Sequence, residues 1–320
     1  MKPNIQIDLS TDAYEIANKE LKEIGYYFNK NPLVTKDLSQ ILTTYFDVIS
    51  KLPPQINWEI KKSSCFERSA RESLSDSDIK KGLTKKIVRK GIEQLIHKAK
   101  SGQNLKYRLS PHLIKNFLEQ DTLLNDWGIF HFHLGLDKEN DKFVTNYDRV
   151  VYAYLNNGVM YLIKVGSHKD FSDQNLIAII ENNWTELLDP FTLRRIKSIE
   201  YGKDHKGNII NAPTDEDIKK YRKSGAIYIL KTQKGRFVGS LGGGYTITGN
   251  RLSSVRQSKH IIINIREIET FITQKPAYIK QLLQLKHDSE WHNCNFKLTS
   301  FYPQIIVKEV NQGKIVRKRF

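Results

Sequence analysis

The segment Trp127–Phe171 constrains the fold of this chain more than any other, because short apolar runs in it have the spacing of β-strands. Strands are predicted over 129–134, 149–155 and 159–165. Between the last two, Asn156-Asn157-Gly158 supplies residues that tolerate the positive φ of a tight hairpin turn. We therefore expect an antiparallel β-meander.

Three histidines belong to this meander. His131 and His133 are two residues apart on the first strand, so their side chains are expected on one face while Phe130, Phe132 and Leu134 face away. His168 follows the third strand and joins them if the meander folds back on itself. The three imidazoles are therefore candidates for one site.

Three interpretations of these histidines follow from the residue types. Three imidazole nitrogens can bind a metal ion and leave a position open for water, with Asp137, Asp170 or Asp173 completing the shell. Imidazoles can instead exchange protons with a phosphodiester, because their pKa lies near neutrality. The third interpretation is that the histidines only pack within the sheet.

Basic residues are concentrated in one segment. The 320-residue chain has 51 Lys and Arg against 35 Asp and Glu, a formal charge of +16, which favours a polyanionic partner such as nucleic acid. Residues 79–108 contain ten lysines and arginines and a single acidic residue. A basic amphipathic helix is predicted over 79–100, either as a solvated surface or as a phosphate-binding one. The candidate nucleic-acid-binding residues are Lys80, Lys81, Lys85, Lys86, Arg89 and Lys90.

The compartment is inferred from the cysteines and the apolar runs. Cys65 and Cys294 are far apart and lack CxxC spacing, so neither a disulfide framework nor a thiolate zinc site is expected. The N-terminal residues do not have the pattern of a signal peptide. The apolar run 261–265 is far shorter than the ~20 residues of a membrane span. A cytoplasmic protein without a membrane partner is expected.

The stretch YDRVVYAYLNNGVMYLIKVGSHKDF, with the preceding LSPHLIKNFLEQD and HFHLG, resembles the RelE/ParE-like toxin superfamily. That superfamily has helices followed by an antiparallel meander, with an Arg after an aromatic residue and a His-Arg pair after the last strand. The resemblance covers about residues 107–173. The matching positions are Arg149, Tyr152, His168, Lys169 and Phe171.

The resemblance implies a metal-independent endoribonuclease without a cofactor, acting as the toxic effector of a toxin–antitoxin or antiphage defence system, with RNA as substrate and an antitoxin or inhibitor protein as partner. His133 and His168 would be the acid/base pair, His131 would position the substrate, and Arg149 and Lys169 would hold phosphate. The alternatives are a phosphodiesterase that uses a divalent metal ion bound by the three histidines, and a non-catalytic module that binds nucleic acid or protein.

The fold class predicted from these patterns is α+β. A helical region is expected over 1–106, a RelE-like meander with flanking helices over 107–190, and an α+β region of unknown role over 191–320. In the last region, residues 260–272 are predicted as a strand leading into a helix. The chain then ends in a β-hairpin around Asn311-Gln312-Gly313.

Two other motifs are not expected to be sites. The glycine-rich run Gly239–Tyr245 lacks the GxxxxGK[ST] pattern of a phosphate-binding loop and is predicted as a turn or bulge between strands. His287, His292 and Cys294 lack a second tight pair of ligands, so a zinc site is not predicted there.

Overall fold

The computed structural model describes residues 5–26, 37–115, 121–137, 143–194, 196, 212–246, 249–311 and 313–317. The helices are α1 (Leu9–Ile24), α2 (Leu38–Ser50), α3 (Ser64–Ser69), α4 (Asp76–Lys80), α5 (Lys85–Lys100), α6 (Pro111–Lys115), α7 (Thr122–Trp127), α8 (Asn175–Asn183), α9 (Asp215–Ser224), α10 (Leu252–Gln274), α11 (Pro276–Leu282) and α12 (Asp288–His292). Short 3₁₀ helices span Lys106–Arg108, His168–Ser172 and Thr185–Phe191. The strands are β1 (Gln6–Ile7), β2 (Glu59–Lys62), β3 (Ile129–His133), β4 (Arg149–Asn156), β5 (Val159–Ser167), β6 (Leu230–Lys231), β7 (Phe237–Val238), β8 (Asn295–Ser300), β9 (Ile306–Glu309) and β10 (Lys314–Arg317). Within the described ranges, no helix combines the length and the apolar character that crossing a membrane requires.

The predicted α+β class is confirmed, and the chain forms two compact units. Met1–Ser50 and Ser253–Phe320 make the first unit, and Lys51–Leu252 makes the second. This grouping differs from the three consecutive regions expected from the sequence. The reason is that β1 pairs in parallel with β8 and α1 packs on β8, so the two ends of the chain fold together.

The first unit contains a four-stranded sheet in the order β1-β8-β9-β10. The predicted C-terminal hairpin is confirmed, because β9 and β10 pair antiparallel. Asp12 of α1 is buried and accepts hydrogen bonds from the ammonium group of Lys297 (3.0 Å) and the backbone N–H of Leu298 (2.9 Å). This charged contact fixes α1 on the sheet.

The predicted strand within residues 260–272 is wrong, because the whole segment belongs to α10. Ile261, Ile265, Ile268 and Ile272 are buried on this helix. Their spacing of four, three and four residues places them on one helical face. Burial of that face outweighs the preference of isoleucine for strands.

The second unit is built on a sheet in the order β2-β5-β4-β3. Strands β3, β4 and β5 pair antiparallel in succession, which confirms the predicted meander, and β2 adds in parallel to the outer side of β5. The hairpin turn is also confirmed, with φ of 47° at Asn157 and 77° at Gly158. The meander thus forms the centre of this unit.

One face of the meander packs against α7, α8 and the 3₁₀ helix Thr185–Phe191 in an apolar cluster. The sheet contributes Ile129, Val150, Tyr152, Tyr154, Tyr161 and Ile163 to this cluster, and the covering segments contribute Leu123, Trp127, Leu176, Ile180, Trp184 and Leu188. Trp127 and Trp184 are therefore core residues, as predicted. The helix predicted over 172–188 is shorter than expected, since the α-helix in this range is α8, Asn175–Asn183.

The continuous basic helix predicted over 79–100 is wrong at residues 81–84, which separate α4 from α5. Gly82 has a φ of +81°, a conformation that ends a helix and that L side chains rarely adopt. Thr84 then caps α5, its hydroxyl accepting from the N–H of Ile87 (3.2 Å).

Helix α5 is held tightly against the end of β3. A Cβ atom at Gly91 would lie 2.3 Å from the carbonyl oxygen of Leu134, so only glycine allows this approach. The buried guanidinium of Arg108 bridges the two elements, donating to the carbonyls of Gly91 (3.1 Å), His133 (3.4 Å) and Gly135 (3.3 Å). This contact holds the strand that carries two of the histidines.

Gly91→Ala is expected to lower the free energy of unfolding by about 1–3 kcal/mol, because the new methyl group must displace a backbone carbonyl. The same change in an unobstructed helix would stabilise by roughly 0.5–1 kcal/mol. Urea unfolding followed by circular dichroism measures the difference. Gly239→Ala is the control, since its nearest neighbour would be 3.9 Å away. A stabilised Gly91→Ala protein would contradict the packing described.

Candidate functional site

His131 and His133 occupy the same face of the meander, as predicted. The register pairs His131 with Tyr152 and His133 with Val150, and both partners belong to the apolar cluster on that face. Between the histidines, the ring of Phe132 stacks on that of Phe130, with centroids 5.9 Å apart. Strand alternation therefore separates the imidazoles from the two phenylalanines.

The third histidine reaches this face from the end of β5. A register shift between Tyr152 and Ala153 makes Arg149 pair with Ser167, so that β5 ends beside the start of β4 and His168 follows it directly. The 3₁₀ helix that begins at His168 is fixed by a capping box between Ser167 and Asp170. These local contacts set the position of the His168 backbone.

The three imidazoles converge. One nitrogen from each of His131, His133 and His168 lies within 4.8 Å of those from the other two. The ring centroids are 5.8 Å apart for His131 and His133, 5.6 Å for His131 and His168, and 5.1 Å for His133 and His168. The described residues contain no second cluster of this kind, so none is found at His287, His292 and Cys294.

Oxygen atoms orient two of the rings. Nδ1 of His133 lies 3.3 Å from the carbonyl oxygen of Tyr147, and Nδ1 of His168 lies 3.1 Å from Oδ1 of Asp148. Because a carbonyl and a carboxylate only accept, each Nδ1 carries a proton, and in a neutral ring Nε2 then keeps the lone pair that can bind a metal ion. His131 is paired less closely, with Nδ1 3.6 Å from Oδ2 of Asp121.

Burial keeps two of the imidazoles neutral. His133 is 1% exposed and His131 6%, whereas the side chain of His168 is 32% exposed. Desolvation, followed by the neighbouring imidazoles, lowers the pKa of His131 and of His133 to about 3. Neither ring is in the cationic, doubly protonated form at neutral pH, so the acid role expected for His133 does not suit this environment.

The same surroundings suit a metal ion. Nε2 of His133 is buried without a hydrogen-bond partner, and so is Nδ1 of His131. A buried nitrogen without a partner is unfavourable, and a bound cation would satisfy the lone pair on Nε2 of His133. Metal-ligating histidines are neutral and direct their other nitrogen to a carboxylate or a carbonyl, as His168 and His133 do here. The donor set therefore fits zinc or a similar transition metal.

Of the two predicted cations, Arg149 has its guanidinium engaged outside this cluster. Arg149 is buried, and its guanidinium donates to the carbonyls of Ser69 (2.5 Å) and Ser73 (3.0 Å). Lys169 is exposed on the 3₁₀ helix that begins at His168. These contacts hold the segment after α3. Because they already engage the guanidinium of Arg149, they do not support its predicted role in binding phosphate.

The carboxylates expected to complete a metal shell are engaged with cations elsewhere. Asp137 pairs with Arg108 (2.7 Å), and both Asp170 (3.1 Å) and Asp173 (3.0 Å) pair with Lys164. The carboxylates beside the imidazoles are instead Asp121 and Asp148. Sequence reasoning missed these two because neither has a motif spacing to a histidine.

A pocket of about 170 Å³ lies beside the cluster. It is lined by Ser110, His112, Leu113, Asp121, Thr122, His131, His168 and Phe171. No lysine or arginine is among these lining residues. Within the described part of the lining, a substrate that enters this pocket therefore meets two of the three converging histidines and no cationic side chain.

The predicted basic surface is a separate feature of the second unit. All six residues predicted for it, namely Lys80, Lys81, Lys85, Lys86, Arg89 and Lys90, are exposed. They belong to the end of α4, the connection and the first turns of α5. The apolar cluster beside the histidines includes no residue of α5. The basic surface is thus available to a polyanion but does not line the histidine pocket.

Comparisons of this chain with protein-family models, curated proteins and solved structures found no match. The resemblance to the RelE/ParE-like toxin superfamily therefore stays a prediction.

The metal-free protein is expected to lose stability in acid through the two buried imidazoles. Their pKa is about 3 in the folded chain and near 6.5 in the unfolded chain, so unfolding takes up protons between these values. The free energy of unfolding should be fully retained above pH ~6.5 and should fall toward pH ~3, by up to about 1.4 kcal/mol per pH unit for each histidine. Chemical denaturation at a series of pH values measures this slope.

A double variant, His131→Gln with His133→Gln, isolates the effect because it removes both titrating groups. Its stability should depend less steeply on pH over that window, whereas His97→Gln at an exposed position of α5 should keep the original slope. An unchanged slope in the double variant would show that the imidazoles are not desolvated as described.

Proposed function

We propose that this protein is a metal-dependent phosphodiesterase that acts on nucleic acid, with the metal ion bound by His131, His133 and His168. The convergence of three imidazole nitrogens within 4.8 Å carries the proposal. Phosphodiester chemistry is inferred from the strong positive charge of the chain and from its exposed basic surface.

The distribution of charge supports the metal-dependent mechanism over the metal-independent one. Cleavage of a phosphodiester builds negative charge on the phosphate, which needs a cation close by. Among the residues that the structure describes, neither lysine nor arginine lines the pocket beside the histidines, and Arg149 is bound to backbone carbonyls. A divalent ion among the imidazoles would supply that positive charge and would activate a water molecule. The protein's own residues would hold the ion and exclude bulk water.

Each histidine has a distinct part in this proposal. His133, the most buried, is an anchoring ligand whose ring is oriented by the carbonyl of Tyr147. His168 is the most exposed ligand, and Asp148 holds its tautomer. His131 and His168 also line the pocket, so a substrate bound there would lie beside two of the three ligands.

One observation favours the metal-independent ribonuclease as a second candidate. His168 is partly exposed, and its Nδ1 lies 3.1 Å from a carboxylate of Asp148, an arrangement that can support a general base. In that case His168 would take a proton from the ribose 2′-hydroxyl without a metal ion. The two candidates differ in their response to a chelator.

Chelation is expected to abolish cleavage of single-stranded oligonucleotides, and one equivalent of zinc or manganese should restore it. His133→Ala and His168→Ala should each lower activity by about 100-fold or more and also lower the bound metal, because each removes a ligand. Fluorescent oligonucleotides report cleavage, and elemental analysis reports metal content.

His97→Ala, at an exposed position of α5, is the matched control and should keep both activity and metal. Cleavage that survives chelation but is lost in His168→Ala would overturn the metal-dependent mechanism in favour of the second candidate. Absence of cleavage by the metal-loaded wild type would contradict both.

Replacing Lys85, Lys86 and Lys90 by alanine is expected to weaken nucleic-acid binding. Each phosphate contact that is lost should reduce the slope of log affinity against log salt by about 0.7 for a single strand. Fluorescence anisotropy at several salt concentrations measures both effects.

A triple variant with the same loss of charge provides the control. Lys219, Lys220 and Lys223 are exposed on α9 of the same unit, and replacing them by alanine should leave the salt slope unchanged. Equal losses in the two triple variants would indicate that only the total charge matters, which would contradict a defined binding surface.

The compartment and the biological role are proposed from observations outside the histidine site. Both cysteines are free, which fits a reducing compartment such as the cytoplasm. The role as a toxic effector, and the partnership with an antitoxin or inhibitor protein, rest on the resemblance to the RelE/ParE-like toxin superfamily.

A further inference from the structure

Two of the three imidazoles are oriented by oxygen atoms of adjacent residues. The carbonyl oxygen of Tyr147 lies 3.3 Å from Nδ1 of His133, and the carboxylate of Asp148 lies 3.1 Å from Nδ1 of His168. One peptide bond joins the carbonyl group of Tyr147 to the nitrogen of Asp148. A displacement of that peptide would move the carbonyl directly and would move the backbone of Asp148 with it.

The other side of this peptide is held by a buried carboxylate. The N–H of Asp148 donates to Oδ1 of Asp78, on α4, at 2.9 Å, and Asp78 is only 2% exposed. The peptide is trans, so its N–H and its carbonyl point in opposite directions. A group that fixes the N–H therefore also fixes the direction in which the carbonyl of Tyr147 faces His133.

Capping of α4 does not require this contact. Ser75 is the N-cap of α4, and Asp78 stands three residues after it. At the same position of α9, the carboxylate of Asp217 turns back to the N–H of the N-cap Thr214 (3.1 Å) and completes a capping box. Asp78 instead accepts the hydroxyl of Ser75 (3.0 Å) with one oxygen and directs the other across to Asp148.

The segment that leads into α4 is itself fixed to the meander. The guanidinium of Arg149 donates to the carbonyls of Ser69 (2.5 Å) and Ser73 (3.0 Å). The hydroxyl of Ser69 accepts from the N–H of Val165 on β5 (2.9 Å). These contacts tie the chain just before α4 to both β4 and β5, so the carboxylate of Asp78 has a defined place relative to the histidine site.

We propose that Asp78 is a positioning residue for the metal site. By holding the N–H of Asp148, it orients the carbonyl that contacts His133, and it fixes the backbone from which Asp148 reaches His168. A carboxylate bonded to the N–H also polarises the peptide, which makes the carbonyl a stronger acceptor. This inference rests on the proposed function, since the rings concerned are the metal ligands named there.

The zinc affinity of Asp78 variants tests this role. Asp78→Ala removes the acceptor and should weaken zinc binding by about 10-fold or more, as loss of a contact that orients metal ligands typically does. Asp78→Asn keeps an oxygen for the N–H of Asp148 but loses the charge, so its affinity should fall between those of the wild type and Asp78→Ala. Competition with a chromophoric zinc chelator measures the dissociation constants. Unchanged affinity in Asp78→Ala, or a loss in Asp78→Asn as large as that in Asp78→Ala, would overturn the proposal.

Asp217→Ala is the matched control, because it removes the same residue type from the same helix position in the same unit. It should lower the thermal stability through loss of the cap while leaving the zinc affinity unchanged. If Asp217→Ala weakens zinc binding as much as Asp78→Ala does, the effect reflects general stability and the proposal fails.

Ring-nitrogen signals in nuclear magnetic resonance spectra of the zinc-free protein test Asp78 without requiring the alanine variant to fold. Asp78→Asn should shift the signals of His133 more than those of His131, whose nearest carboxylate is Asp121. Equal shifts at the two rings, or no shift at His133, would overturn the positioning role. If the wild type binds no zinc, the proposed function fails, yet these signals still decide whether Asp78 orients His133.

Discussion

The antiparallel register of the meander is the constraint on which the site depends. Pairing of His133 with Val150 and of Arg149 with Ser167 brings the end of β3 and the end of β5 to either side of the same part of β4. His168 follows Ser167, and Asp148 precedes Arg149, so the same pairing joins a histidine to its carboxylate. A shift of one residue would turn a strand's side chains to the opposite face and disperse the cluster.

Placing two imidazoles in the interior has an energetic cost that the rest of the unit offsets. Nε2 of His133 and Nδ1 of His131 are buried without a hydrogen-bond partner, which disfavours the metal-free folded state. Arg108 and the close contact at Gly91 fix the strand that carries both rings. A metal ion would convert the unfavourable lone pair of His133 into a ligand, so binding and folding stability would be coupled.

Strand alternation and turn chemistry were sufficient to predict the meander, the shared face of His131 and His133, and the turn at Asn157. They could not predict the contact between His168 and Asp148. Counting back from the turn pairs Arg149 with Gly166, and the register shift between Tyr152 and Ala153 moves that partner to Ser167. The spacing of apolar residues in the sequence does not reveal such a register shift. The strand predicted within α10 was wrong for another reason. Burial of the isoleucines on one helical face outweighed their preference for strands.

The central claim is that His131, His133 and His168 bind one metal ion, and a crystal structure of the zinc-loaded protein, with anomalous data collected at the zinc edge, tests it most directly. The account predicts a single strong anomalous peak among the three rings, at about 2.0–2.1 Å from one nitrogen of each. It also predicts that the Nδ1 contacts of His133 with Tyr147 and of His168 with Asp148 are retained. Absence of a peak there, with zinc bound elsewhere or not at all, would contradict it.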